Sequence, residues 1–201
     1  MGKGGKIAVG CFILVLVVGF MVASWIWRSY NGLVRLDENV KQSWAQVQNV
    51  YQRRFDLIPN LVETVKGYAA HERQTFEAVT EARSKVGGVM QLKAEDLTPA
   101  NLAKFQEAQA GLSGALQRLM VVVENYPILK ANENFIRLQD ELAGTENRIA
   151  QERMRFNQAA QQFNQTIRRF PQVLIANMLG FKYRAYFEAA TPAQEAPKVQ
   201  F

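Results

Sequence analysis

Hydrophobic positions in this chain form one unbroken block followed by a series of narrow stripes. The block, Ile7 to Trp27, is twenty-one residues long and carries no charge. As a helix rising about 1.5 Å per residue it is roughly 31 Å long, which matches a bilayer core roughly 30 Å thick. It predicts a single transmembrane anchor. A cleaved signal peptide is the competing reading. The run is longer than a signal core of roughly 7–15 residues, and its exit side, Ser24 to Arg28, is bulky and aromatic. Trp25 and Trp27 instead suit the interfacial belt, where an amphipathic ring sits at headgroup level.

After the anchor the apolar residues recur at helical spacing. The clearest stripe is Leu102, Phe105, Gln109, Leu112, Leu116, Leu119, Val123, Tyr126. A second is Phe135, Leu138, Leu142, Thr145, Ile149, Glu152, Phe156, Ala160, Phe163, Ile167, Phe170. Earlier come Leu33, Leu36, Val40, Trp44, Val47, Tyr51, then Leu57, Leu61, Val65, Tyr68, Phe76, Val79. Each stripe is too narrow to be buried alone, so the helices must face one another. The expected fold is all-α: an N-terminal transmembrane helix followed by an antiparallel four-helix bundle. Helix one runs to about Phe55. Asp56 caps a new helix with Pro59 in its first turn, and whether the chain reverses or only kinks there is open. Helix two runs to about Val86 and stops at Gly87-Gly88. Thr98-Pro99 starts helix three, which ends near Asn125-Tyr126-Pro127. Helix four runs to about Phe170 and Pro171 ends it. The expected organisation is a basic tail and anchor over 1–29, a bundle over 30–188 with an amphipathic segment from about 170, and a disordered tail over 189–201.

Residues 170–187, FPQVLIANMLGFKYRAYF, are more apolar than a surface segment. Arg168 and Arg169 precede Phe170, and Phe181, Lys182, Tyr183, Arg184, Tyr186 and Phe187 come after it. Such a mixture suits a segment lying on a membrane, and equally one packed on its own bundle or a neighbouring subunit. These residues are the candidate assembly or membrane contact. The tail TPAQEAPKVQF is rich in Pro and Ala and has no apolar period.

Composition removes most catalytic chemistries. His71 is the only histidine and Cys11 the only cysteine, so there is no intramolecular disulfide, no cysteine metal cage and no paired Glu-x-x-His set. Cys11 sits too early in its apolar run for a lipoprotein signal. His71 lies beside the Tyr68 and Phe76 stripe and is expected at a core edge. Glu63, Glu72, Glu124, Asp140, Glu141 and Glu146 read as helix-surface residues before they read as a carboxylate metal site. The expectation is no cofactor, no metal and no enzyme activity. Glu152 falls in an apolar phase; drift of the 3.6-residue helix against a seven-residue repeat accounts for it, and a buried pairing with Arg53 or Arg54 is the alternative. Asn147, Asn157 and Asn164 flank the same stripe and could bridge helices.

The net charge of +6 is dispersed, which favours anionic lipid headgroups over nucleic acid. Lys3 and Lys6 before the anchor and Arg28, Arg35 and Lys41 after it nearly balance, and the wholly basic N-terminal tail tips the body outside the cytoplasm.

Several motifs occur together: Tyr30-Asn31-Gly32-Leu33-Val34-Arg35-Leu36, Arg53-Arg54-Phe55-Asp56-Leu57-Ile58-Pro59-Asn60-Leu61-Val62-Glu63, Glu124-Asn125-Tyr126-Pro127 with Leu129-Lys130-Ala131-Asn132, Gly144-Thr145-Glu146-Asn147-Arg148-Ile149-Ala150, and Phe170-Pro171 with Gly180-Phe181. In this combination the chain resembles the LemA family of bacteria. The resemblance implies one N-terminal membrane helix and an antiparallel four-helix bundle in the bacterial cytoplasmic membrane. It also implies relatives that include a magnetosome-membrane protein, and TPM-domain membrane proteins as genetic neighbours. It places the short N-terminus outside, opposite to the charge balance, and supplies no biochemical activity. The expected function is a membrane-anchored interaction module that self-assembles into a homo-oligomer; the alternative is a membrane-shaping protein touching lipid through its basic and aromatic parts.

Overall fold

The computed structural model describes residues 3–188, with side chains from residue 10, so the 189–201 tail lies outside the described residues. Within them the chain is helical and contains no strand. The helices are α1 (Lys3–Lys66), α2 (Arg73–Val89), α3 (Pro99–Val123), α4 (Pro127–Lys130), α5 (Glu133–Arg168) and α6 (Gln172–Met178), with a 3₁₀ turn at Ala94–Asp96. The start of α3 is as expected: Pro99 holds its first turn, and Thr98 Oγ1 accepts a hydrogen bond from the Asn101 amide.

The chain divides into two compact units, one of residues 1–39 and 161–183, the other of 40–160 and 184–201. In the first unit α1 carries one helix long and apolar enough to cross a membrane, unburied along its apolar window. Among the described side chains on this part of α1, Leu33 and Asp37 are buried. Phe163, Asn164, Ile167, Ile175 and Ala176 are also buried here. In the second unit a core joins Ile58, Leu61 and Val65 of α1, Val79 and Val86 of α2, Leu112, Leu116 and Leu119 of α3, Leu129 of α4 and Phe135 of α5.

Three expected boundaries are corrected. No new helix starts at Asp56: α1 is one helix of 64 residues that contains Pro59. The turn comes at 67–72 instead, and His71 is exposed within it, not at a core edge. Gly87 and Gly88 do not stop α2, which runs on to Val89. The continuity through Pro59 has a local cause. Proline lacks the N–H that would bond the carbonyl four residues earlier, here that of Phe55. That carbonyl instead accepts from Arg83 Nε at 3.4 Å, and the Arg83 guanidinium lies 3.8 Å over the Phe55 ring. A side chain from α2 thus satisfies the group that proline orphans. Arg83→Ala should destabilise the protein by about 1–2 kcal/mol, and much less when Pro59→Ala restores the helix bond; a double-mutant cycle followed by urea unfolding measures that coupling. Equal costs in both backgrounds would refute it.

Candidate functional site

The candidate contact residues fall into two sets. In the first unit, Arg168, Arg169, Phe170, Lys182 and Tyr183 are exposed and Phe181 is half-buried, its ring edge-on to Phe163 at 6.0 Å. Between them α6 has an inward side of Ile175 and Ala176. Its other side presents Leu174 at 61% exposure and Met178 at 72%, joined by Phe170 at 77%. Leu179 and Tyr183 are also exposed large apolar side chains. The segment therefore keeps exposed apolar side chains, with exposed arginine and lysine close to them in the sequence, after its own packing.

In the second unit, Arg184, Tyr186 and Phe187 belong to a strap without regular secondary structure, residues 184–188. Arg184 Nη1 donates to the carbonyls of Ala94 at 3.0 Å and Glu95 at 3.4 Å. Phe187 is buried, not displayed: its ring stacks on Trp44 at 6.1 Å and meets Phe156 edge-on at 5.4 Å and Phe105 at 6.5 Å. The Asn157 side chain donates to the Phe187 carbonyl and accepts from its amide, both at 2.9 Å. Asn157 thus bridges elements as expected, whereas Asn147 is exposed and Asn164 buried. The Glu188 carbonyl accepts from Gln106 Nε2 at 3.1 Å and Arg153 Nη2 at 2.9 Å. Phe187 is a core residue, and the assembly surface that the sequence suggested has to be sought without it.

Drift was the expected account of Glu152, and the alternative, a buried pairing with Arg53 or Arg54, is not what forms there. Glu152 is half-buried and pairs with its neighbour Arg155 at 2.6 Å. The deeply buried ion is Arg54, at 2% exposure. Its Nη1 donates to Glu146 Oε1 at 2.7 Å and Ser113 Oγ at 3.0 Å, and its Nη2 to Gln109 Oε1. Gln109 is buried too. Both residues sit in the apolar phase of their helices, and that coincidence was the available signal. Arg54 also lies 5.1 Å from the Tyr51 ring centre. Burial raises the Tyr51 hydroxyl pKa above its usual value of 10, opposed by the charges of Arg153 and Arg54. With the folded value above the unfolded one, this contribution to stability is complete below about pH 10 and disappears as pH rises through the folded value. Alkaline unfolding should therefore steepen above pH 10, and Tyr51→Phe should flatten it. Among the described residues no three His, Cys, Asp or Glu side chains converge.

Residues 43–201 match the sequence profile of the LemA family. Among curated proteins, magnetosome proteins MamQ 1 and MamQ 2 of Paramagnetospirillum magneticum are each 29% identical to this chain, covering 98% of it and 77% of their own length. Protein LemA of Metamycoplasma hominis is 24% identical over 68% of this chain and 58% of its own. The profile takes in the Arg54 node, the strap and the exposed ridge alike, so all three lie within family sequence, and this helical chain belongs to the LemA family.

Proposed function

We propose that this chain is a membrane-anchored helical scaffold that self-assembles in the plane of a bacterial membrane, without enzymatic activity of its own. The observation that carries this reading is the exposed ridge of Phe170, Leu174 and Met178, which lies in the same compact unit as the apolar helix. Exposed apolar surface of that kind marks a protein or membrane contact. Anchored copies share a plane and a high local concentration, so modest contacts multiply into avidity. The stripes of α1, α2, α3 and α5 that share the second unit's core support an antiparallel four-helix bundle as the body. The basic N-terminal tail favours a body outside the cytoplasm. The MamQ relatives are named as magnetosome proteins.

The charges near the ridge in the sequence favour a second reading. Arg168, Arg169 and Lys182 are exposed and close to it in the sequence, and cationic side chains flanking an apolar surface suit anionic headgroups. One experiment separates the readings. Leu174→Ser with Met178→Ser removes ridge surface at exposed positions, so the fold should be kept. The scaffold reading expects the full chain in detergent to fall to a smaller particle. The lipid reading expects unchanged size, with loss of protection of the ridge from water-soluble labels when the chain sits in anionic vesicles. A wild-type chain that is monomeric in detergent, with a ridge unprotected in vesicles, defeats both.

A further inference from the structure

Two residues that hold the buried Arg54 also line a pocket in the second unit. This cavity, of about 630 Å³, has an apolar side made by Leu116, Met120 and Val121 of α3 with Leu142 of α5. Its polar side is Ser113, Gln117 and Glu146. The volume falls within the range of small-molecule sites, about 300–1,000 Å³. Among the described residues of the lining, Glu146 is the single charged one. Its Oε1 accepts from Arg54 Nη1, yet its side chain keeps 44% exposure. Ser113 Oγ accepts from the same nitrogen, and a hydroxyl so engaged still has a second lone pair. Arg54 itself is 2% exposed and not part of this lining, so a ligand here meets the carboxylate and not the guanidinium. A buried ion pair adds little net stability. What Arg54 secures is orientation: it fixes a carboxylate and a hydroxyl at one end of an apolar hollow, as a second layer of residues supports a binding site.

We propose that this pocket binds a small organic cation, a primary ammonium carried on an apolar body. The charge of the lining selects the sign of the head. A cation finds Glu146, whereas an anion would face that carboxylate with no cation in the lining to offset it. The number of donors also fits. An ammonium has three N–H donors, and the polar side offers three kinds of acceptor: the Glu146 carboxylate, Ser113 Oγ and the Gln117 side-chain carbonyl. Ser113 and Gln117 are one helical turn apart on α3, so they share a face. The apolar body covers Val121, which is 69% exposed, and packs on Met120, whose flexible thioether adapts to irregular shapes. Glu146 then lies between two cations, Arg54 in the core and the ligand in the pocket. The residues used here are separate from the ridge of the first unit, and the proposal does not rest on the scaffold reading.

The test titrates 1-adamantylamine into the full chain in detergent, with the methionine methyl groups labelled for nuclear magnetic resonance. The uncharged match is 1-adamantanol. Met120 lines the pocket, whereas Met154 is exposed on α5 outside it. The Met120 signal should shift and saturate with the amine while that of Met154 stays in place. The alcohol should bind about fivefold more weakly, the factor for one partly screened ion pair. Glu146→Gln should erase that preference. Because Glu146 also holds Arg54, Gln117→Lys is the second variant. It sets an ammonium at an exposed rim position and should weaken the amine by a similar factor with unchanged helical circular dichroism. A Met120 signal that does not move, equal binding of amine and alcohol, or amine binding indifferent to Gln117→Lys would each overturn the proposal. None of these readouts depends on particle size, so the scaffold reading and this one can fail separately.

Discussion

Phe187→Ala should lower the unfolding free energy by about 3–5 kcal/mol, the range for deleting a buried phenylalanine. The magnitude comes from what the ring touches. It contacts Trp44, Phe105 and Phe156, which belong to three helices of the second unit, and the Arg153 guanidinium lies 4.7 Å from its centre. No other described side chain of the strap is both large and buried, so nothing close by can move into the cavity. Urea unfolding of the full chain in detergent, read by helical circular dichroism, measures the loss. Leu174→Ser and Met178→Ser are the contrast: on an exposed surface each should change stability by no more than about 0.5 kcal/mol. A Phe187 variant as stable as those two would show that the strap does not hold the core.

The second large effect belongs to the Arg54 node, where the order of the costs is diagnostic. Glu146→Ala should cost about 3 kcal/mol, because it leaves a guanidinium of 2% exposure without its counter-charge. The figure sits at the low end for a buried pair. Glu146 is 44% exposed, so water screens the ion pair, and Ser113 and Gln109 still accept from Arg54. Arg54→Met removes the charge and keeps the volume, and should cost less, about 1–2 kcal/mol, chiefly from the unpaired Gln109 amide oxygen. The inverse order would mean that the pair contributes net attraction and not relief of burial. Unfolding of both single variants and of the double variant decides it.

Much of this architecture is legible in the chain. The membrane-length apolar helix can be read from length and charge alone, because a bilayer-spanning run has one requirement that a single uncharged stretch satisfies. The α3 stripe from Leu102 to Val123 is buried as expected, and the α5 stripe from Phe135 to Ile167 mostly so, with Leu138, Leu142 and Glu152 half-buried. Amphipathic phase is local information, carried by each helix. The errors cluster where a tertiary partner reverses a local preference. Asp56 and Pro59 form a valid helix start in isolation. With Arg83 supplying the missing donor, the same residues are a helix interior. The buried phase on α1 runs Val47, Tyr51, Arg54, Ile58, Leu61, and it looks broken in the sequence because an arginine fills one position.

Sequence by itself determined that this protein is helical, carries a membrane-length apolar run and has stripes that must be buried against one another. It also determined the family, through motifs spread along the chain. Only the tertiary structure decided which polar residues go inside and which aromatics stay out. Arg54 is buried because α3 and α5 bring Gln109, Ser113 and Glu146 to it, and without them a buried guanidinium is prohibitively costly. Phe187 is core because the strap delivers it to Trp44, Phe105 and Phe156, while Phe170 lies exposed on the first unit. Burial of a charge or of a single aromatic depends on partners distant in the chain, and periodicity, which is a property of neighbours, does not encode them.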